Sequence, residues 1–398
     1  MTNLPQGWEV KKLEEIANIK GGKRLPKGEN LLDNNTKFAY IRVADFQDNG
    51  TINLQNIKFI NENTYNVLKN YKIYDDNLYI SIAGTIGKSG IIPKELNGAI
   101  LTENAVKLEY IQNNISNKFM YFFTLSNIFK TQIQTSTKIV AQPKLAITRL
   151  KQIQIPLPPL KEQERIVGIL DESFAKIDES IKILEQNLLN LDELMQSALQ
   201  KAFNPLKDNA KENYKLPQSS EWKSLEEISE NISAGGDKPK NCTESKTAKN
   251  QIPVYANGVN NNGLVGYTDK ATIIKPSLTI SARGTIGFVC IRKEPYFPIV
   301  RLISLIPCEN ILCLHYLYFC LNFFIAKGEG SSIPQLTIPK FKSLQIPLPP
   351  LKEQEQIAEH LDFVFEKAKA LKELYTKELK DYEELKQSLL DKAFKGEL

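Results

Sequence analysis

Gly87-Lys88-Ser89 ends like a phosphate-binding loop, in which backbone N–H groups cradle an anion and the lysine reaches its outer oxygens. That motif needs a first glycine at position 82, where this chain has Ile82. A second copy of the stretch puts Phe288 where the lysine would stand. The expected element is a Gly-rich turn after a strand. Cys313, His315 and Cys320 are metal-ligand types, but their spacing suits no closed site, and their apolar surroundings read as a buried helix. His315 and His360 are the only histidines, which leaves almost no material for imidazole acid–base or triad chemistry. Two Lys-Glu-Gln-Glu blocks place carboxylates in what should be a first helical turn, where they complement the helix dipole. These residues do not add up to a catalyst, and no metal or cofactor of its own is expected.

The charges point instead to binding. Net charge is +5 over 398 residues, but it is unevenly spread. Residues 1–154 carry a net +7 and residues 204–345 a net +5, whereas 155–203 and 346–398 carry −4 and −3. Two basic blocks separated by acidic stretches suggest polyanion-binding parts joined by segments that meet something else. The five cysteines all follow residue 241 and have no repeated spacing, as expected of reduced thiols in a cytoplasmic protein. The opening residues lack a signal-peptide pattern. The most apolar segment, 311–326, carries His315 and Asn322 and is too short for a bilayer, so no membrane association is expected.

The acidic stretches are two copies of one element. Ile155-Pro-Leu-Pro-Pro-Leu-Lys-Glu-Gln-Glu164 returns unchanged as Ile346-Pro-Leu-Pro-Pro-Leu-Lys-Glu-Gln-Glu355, and the match continues without a gap to Lys201-Ala-Phe203 and Lys392-Ala-Phe394. The prolines stop any preceding helix, and Leu-Lys-Glu-Gln-Glu starts a new one. In the first copy Val167, Leu170, Phe174, Ile177, Ile181, Leu184, Leu188, Leu191, Met195 and Ala198 step by 3 and 4, which is a heptad seam. At 1.5 Å per residue the helix from Leu160 to Phe203 would run roughly 65 Å. Leu361, Phe365, Ala368, Tyr375, Leu379, Tyr382 and Leu389 continue the seam in the second copy, where Lys372 and Lys386 interrupt it. Two such helices related by a pseudo-twofold repeat would pair antiparallel.

The basic blocks match only loosely. Leu4-Pro5-Gln6 with Trp8 answers Leu216-Pro217-Gln218 with Trp222, Gly21-Gly22 answers Gly235-Gly236, Gly84-Thr-Ile-Gly87 answers Gly284-Thr-Ile-Gly287, and Pro143-Lys144-Leu145 faces Pro334-Gln335-Leu336. Short β-rich runs at Phe38–Val43, Leu78–Ile82 and Ser277–Ser281, with helices expected over 118–130 and 312–326, make each block mixed α/β. Asn257-Gly258 and Asn260–Gly263 read as exposed loops. The predicted organisation is α+β: blocks at 1–154 and 216–345, helices at 155–203 and 346–398, and a linker at 204–215. The helices are kept alike while the blocks diverge.

Taken in order, the paired openings, the paired Gly-Thr-Ile-Gly elements and the paired proline-led helix starts resemble the DNA-specificity subunit of type I restriction–modification systems. The resemblance covers essentially the whole chain. It implies two target-recognition domains, each reading half of a split double-stranded DNA site. It further implies an antiparallel coiled coil that sets the gap and docks two methyltransferase subunits, which would use S-adenosylmethionine, with restriction (motor-nuclease) subunits completing the complex. Phosphate and base contacts would fall to Lys20, Lys23, Arg24, Arg42, Lys88, Lys138 and Lys144 in the first block. In the second they would fall to Lys238, Lys240, Lys246, Arg283, Arg292, Lys340 and Lys342, with Asn257, Asn260 and Asn262 within reach of adenine edges. A stand-alone DNA-binding regulator of the same architecture is the alternative. A purely structural coiled-coil adaptor ranks last, because it leaves the charge and the divergence of the blocks without a purpose.

Overall fold

The computed structural model describes residues 4–34, 36–136, 144–203, 220–325, 328–329 and 336–398. The expected linker at 204–215 and Lys138 lie outside them. Contacts divide the chain into two units, one made of 1–184 with 377–398 and the other of 185–376. Packing therefore groups the chain differently from the sequence blocks. Each unit holds one block, half of the long helix Leu160–Phe203 and half of the long helix Leu351–Ala393.

In the first unit an antiparallel four-stranded sheet runs in the order Ala17–Gly21, Ala105–Tyr110, Leu78–Ser81, Ser89–Ile91. A second sheet is built on Ala39–Ile41, which pairs in parallel with Ala99–Leu101. The second unit repeats the plan with Ser229–Ala234, Ile303–Pro307, Ser277–Ile280 and Val289–Arg292. There Ile252–Tyr255 lies parallel to Phe297–Pro298. The helix expected over 118–130 is two helices, Asn117–Leu125 and Asn127–Ser136. Ser126 separates them: its hydroxyl donates back to Phe123 O at 2.7 Å and accepts from Phe129 N, which ends one helix and starts the next. The second block has a single helix here, Leu314–Phe324.

The proline-led blocks do more than stop a helix. Gln154–Leu157 is a strand paired antiparallel with Glu9–Lys12, and Gln345–Leu348 pairs likewise with Glu221–Ser224. A two-stranded ribbon tolerates Pro156 and Pro347 because one side of each strand needs no donor. The carbonyls of Pro159 and Pro350 then accept the first helical N–H groups, from Glu162 and Gln163 and from Glu353 and Gln354.

Gln163 and Gln354, the glutamines of Lys-Glu-Gln-Glu, are 1% and 0% exposed. Gln163 accepts from Ser116 N at 2.9 Å and donates to Asn114 O and Pro158 O at 3.1 and 2.9 Å. Gln354 makes the same three bonds with Cys313 N, Ile311 O and Pro349 O at 2.9, 2.9 and 2.8 Å. Each carboxamide thus joins the start of a long helix to the start of the buried helix in its own block.

The far end of each helix docks in the other block. Phe394 packs on Phe119 and Phe123 in the first unit, with ring centroids 5.0 and 5.5 Å away. Phe203 packs on Tyr316, Phe323 and Phe324 in the second. Within each unit the helix halves run antiparallel. Asp178 pairs with Lys386 in the first and Asp192 with Lys372 in the second, and the residue numbers of both pairs add to the same total. The lysines that interrupt the apolar seam are thus cross-helix ion pairs. Leu170, Ile177, Leu184, Leu191 and Leu361 are buried along it, while Phe174, Ile181, Leu188, Phe365, Leu379, Tyr382 and Leu389 are half-buried.

Gln163→Leu keeps the volume of this side chain but takes their partner from the Ser116 N–H and from the Asn114 and Pro158 carbonyls, the last of them buried. It should destabilise the full chain by roughly 2–4 kcal/mol, read as a lowered urea midpoint with an unchanged slope. A midpoint equal to that of the wild type would mean the carboxamide bonds are dispensable.

Candidate nucleic-acid interface

In both units the same backbone segments meet at one end of the four-stranded sheet, because one glycine lets two strands approach. Gly22 donates to Ala105 O at 2.9 Å, and Gly235 donates to Leu302 O at 2.8 Å. A Cβ on Gly22 would lie 2.0 Å from Thr102 O, and one on Gly235 would lie 2.6 Å from Ile299 N. Gly22 and Gly235 are therefore structural equivalents. The expected pairing of Gly21-Gly22 with Gly235-Gly236 is off by one, since a register shift between Ser229 and Asn231 takes up a residue in the second sheet.

The Gly-Thr-Ile-Gly elements form the neighbouring loop. They connect antiparallel strands, and Gly87 and Gly287 donate back to Ser81 O and Ser281 O at 2.9 and 3.0 Å. Positive φ angles at Gly84 (77°), Gly87 (88°), Gly284 (70°) and Gly287 (80°) require glycine there. Ser89 opens a strand rather than a helix, so Gly87-Lys88-Ser89 has the hairpin setting and not that of a phosphate-binding loop. Against each hairpin lies the segment leading to the ribbon strand: Leu145 N donates to Ile82 O at 2.9 Å and Leu336 N to Ala282 O at 3.3 Å.

Of the expected DNA-contact residues, Lys23, Arg24 and Lys144 in the first unit flank these loops and are exposed. Arg24 is held 2.7 Å from Glu103. Burial pushes the Glu103 carboxyl upward, but hydrogen bonds from Arg24, its own backbone and Thr102 outweigh it. The group ends below its usual range and stays ionised at neutral pH. Lys20 lies along the sheet, 2.5 Å from Glu109.

Three more of the expected residues are engaged by partners within the fold. Arg42 is fixed by Asp45, through Nη2–Oδ1 at 2.5 Å and Nε–Oδ2 at 3.0 Å, and also donates to Asn56 O. Lys88 reaches back to Asp48 at 2.8 Å. Arg292 is 9% exposed, donates to Thr279 Oγ1 and Asn262 O, and stacks 3.5 Å from the Tyr255 ring centroid. Arg42 and Arg292 are cross-braces of the fold.

In the second unit Lys238 and Arg283 are exposed beside the converging loops. Lys240 is exposed, Lys246 sits over Tyr267, and Lys340 is exposed on the short helix Ile338–Lys342. Lys342 pairs with Glu226 at 2.9 Å. Asn257 does not offer its amide outward: it donates to Val300 O and accepts from Ala282 N. Asn260 and Asn262 form a tight turn, with Asn261 and Asn262 left-handed. Sequence reasoning missed the turn Ile299–Arg301, whose exposed Arg301 stands next to Gly235 through its backbone.

The metal-ligand and acid–base residue types singled out in the sequence have ordinary structural settings. His315 Nδ1 meets Asp362 at 2.7 Å, where the first unit has Lys118 with Asp171 at 2.6 Å, and Cys320 is fully buried. Among the described residues no three His, Cys, Asp or Glu side chains are grouped to hold a metal, and no helix is long and apolar enough to cross a membrane.

The family described as "Type I restriction modification DNA specificity domain" matches residues 5–189 and again 217–380. A type I specificity subunit of Mycoplasma pneumoniae is 29% identical over 357 residues, covering 88% of this chain and 87% of that protein. The specificity subunit of the Escherichia coli type I restriction enzyme EcoBI is 29% identical over 205 residues, 50% of this chain and 42% of that protein. In fold, a chain from a solved type I R-M system superposes with a TM-score of 0.81 at 20% identity, with all of both chains covered. The HsdS subunit of Thermoanaerobacter tengcongensis gives 0.62 at 21%, with 100% and 98% covered.

Replacing Arg292 with Met should cost roughly 2–3 kcal/mol through the unpaired Thr279 hydroxyl and Asn262 carbonyl, whereas Lys238→Met should change stability by less than about 0.5 kcal/mol. Thermal unfolding of the two variants tests this division between brace and surface cation.

Proposed function

The chain belongs to the type I restriction–modification DNA specificity family, and from that membership we propose that it reads a split DNA site, one half with each unit, across a gap set by the helix pair. As a specificity subunit it is the DNA-recognition component of its system and performs no catalytic step itself. It assembles with methyltransferase and restriction subunits. In our reading two methyltransferase subunits bind, one for each copy of the repeated helix, and each brings S-adenosylmethionine. The complex works in the cytoplasm, where its DNA is.

One observation carries the reading. The two units build the same loop frame, held by Gly22 and Gly235, yet fill it with different side chains, while the helices that join them are alike. A reader of two unrelated half-sequences needs unlike loops, and a scaffold for two copies of one partner needs like helices. Exposed lysines at the loop ends would contact phosphates and position each unit, and a few side chains would read base edges. A stand-alone regulator needs no duplicated partner surface and so leaves the close identity of the helices unexplained.

The decisive experiment co-expresses the chain with a methyltransferase from the same source and maps methylated adenines across the host genome. A bipartite motif is expected, and exchanging residues 4–144 for the block of another specificity subunit should change only one half of it. Changes in both halves would sink the modular reading.

Seven residues inserted into each long helix where the two units divide should widen the gap by about 10 Å, or about three base pairs, with both halves kept. The same insertion in one helix alone should unseat Phe203 or Phe394 and lower the melting temperature instead.

A further inference from the structure

The turn Ile299-Val300-Arg301 is a tightly constrained piece of backbone in the second unit. Val300 (φ 55°) and Arg301 (φ 59°) are consecutive non-glycine residues in the left-handed region, and Val300 is β-branched. Such residues persist there only when their surroundings over-determine them, and they concentrate at functional sites. The surroundings here do so. Val300 N donates to Gly236 O and Arg301 N to Gly235 O, both at 2.8 Å, and Ile299 N donates to Tyr255 O at 2.8 Å. Asn257 Nδ2 clamps Val300 O at 2.6 Å while its Oδ1 holds the base of the Gly-Thr-Ile-Gly hairpin through Ala282 N.

The device leaves both side chains outside. Val300 is 50% exposed and Arg301 is exposed. Among the described residues no hydrogen bond or ion pair holds the Arg301 guanidinium, unlike Arg42 and Arg292. The first unit has the same turn at Thr102-Glu103-Asn104, identified by matching bonds from Thr102 N to Ile41 O and from Ala105 N to Thr102 O. That turn has no left-handed residue, and its Glu103 is tied to Arg24. By the same bonds Val300 answers Glu103 and Arg301 answers Asn104, so the shared frame carries different side chains in the two units, and the backbone of the second is strained to present a cation.

Resting on the reading of function above, we propose that Arg301 is a specificity-determining residue, whose guanidinium takes the N7 and O6 acceptors of a guanine in the major groove of the half-site read by the second unit. The bent turn fixes the backbone from which the arginine projects outward, so the loop itself need not be ordered on binding.

The test uses the full chain co-expressed with its methyltransferase subunits and a library of DNA duplexes randomised in both half-sites, read out by methylation. Arg301→Gly fits the left-handed backbone, so its thermal unfolding should come no lower than that of the wild type. It should lose guanine preference at one position of one half-site by roughly tenfold to a hundredfold, with the other half and the gap unchanged. Arg301→Lys, which keeps the charge but not the fork, should lose the same preference. Unchanged preference at every position would overturn the proposal. So would a uniform loss of methylation across all sequences, which marks a phosphate contact. A wild-type complex that selects no split site would overturn the reading of function, and this inference with it.

Discussion

A primary carboxamide buried at the head of each long helix is the interaction on which the rest depends. Gln163 and Gln354 each bond one backbone donor and two backbone acceptors where the ribbon strand gives way to the helix. A carboxylate at the same place could accept but not donate, and would have to give up its charge to fit. Glutamine is thus the residue that can hold a helix start against a block with no net charge buried. Because the bonds run to backbone, the side chains of the blocks are free to change around them. That explains how two blocks with different loops can launch the same helix.

The aromatic ends of the helices complete the constraint. Phe122 meets Phe174 edge-on at 5.5 Å, and Phe319 meets Phe365 at 5.2 Å, so each block grips the helix that leaves it. Phe394 and Phe203 then seal each block with the end of the other helix. Removing such an aromatic from a core typically costs about 3–5 kcal/mol. Asp178–Lys386 and Asp192–Lys372 fix the register of the antiparallel pairing, since a slide by one turn would leave both lysines facing apolar seam residues.

Much of this was legible in the sequence. Periodicity and the proline blocks located both long helices and most of the seam, and the repeat implied the antiparallel pairing. What escaped depended on partners far away in the chain. Ile155-Pro-Leu read as a stop because its strand partner lies at Glu9–Lys12. Lys372 and Lys386 read as flaws because their acids sit on the other helix. Gln163 was visible as an invariant of the repeat, but nothing local tells a buried carboxamide from an exposed one. Residue type marks a cation without saying whether the fold uses it: Asp45 claims Arg42, and Thr279 with Tyr255 claims Arg292. The left-handed pair Val300-Arg301 contains no Gly or Asn to announce it, so its conformation is wholly a product of the neighbouring strands.

The placement of Phe394 also sets a timetable. The first unit begins at the start of the chain, with Leu13 and Ile16 in its core, yet that same core includes Leu390, Ala393 and Phe394. On the ribosome the block emerges hundreds of residues before the piece that closes it, so its aromatic face around Phe119 and Phe123 waits uncovered through most of synthesis. Loop-closure entropy grows only slowly with length, so the finished molecule loses little by this arrangement. The delay falls on the nascent chain, whose uncovered aromatic face is open to misassembly until the closing segment arrives.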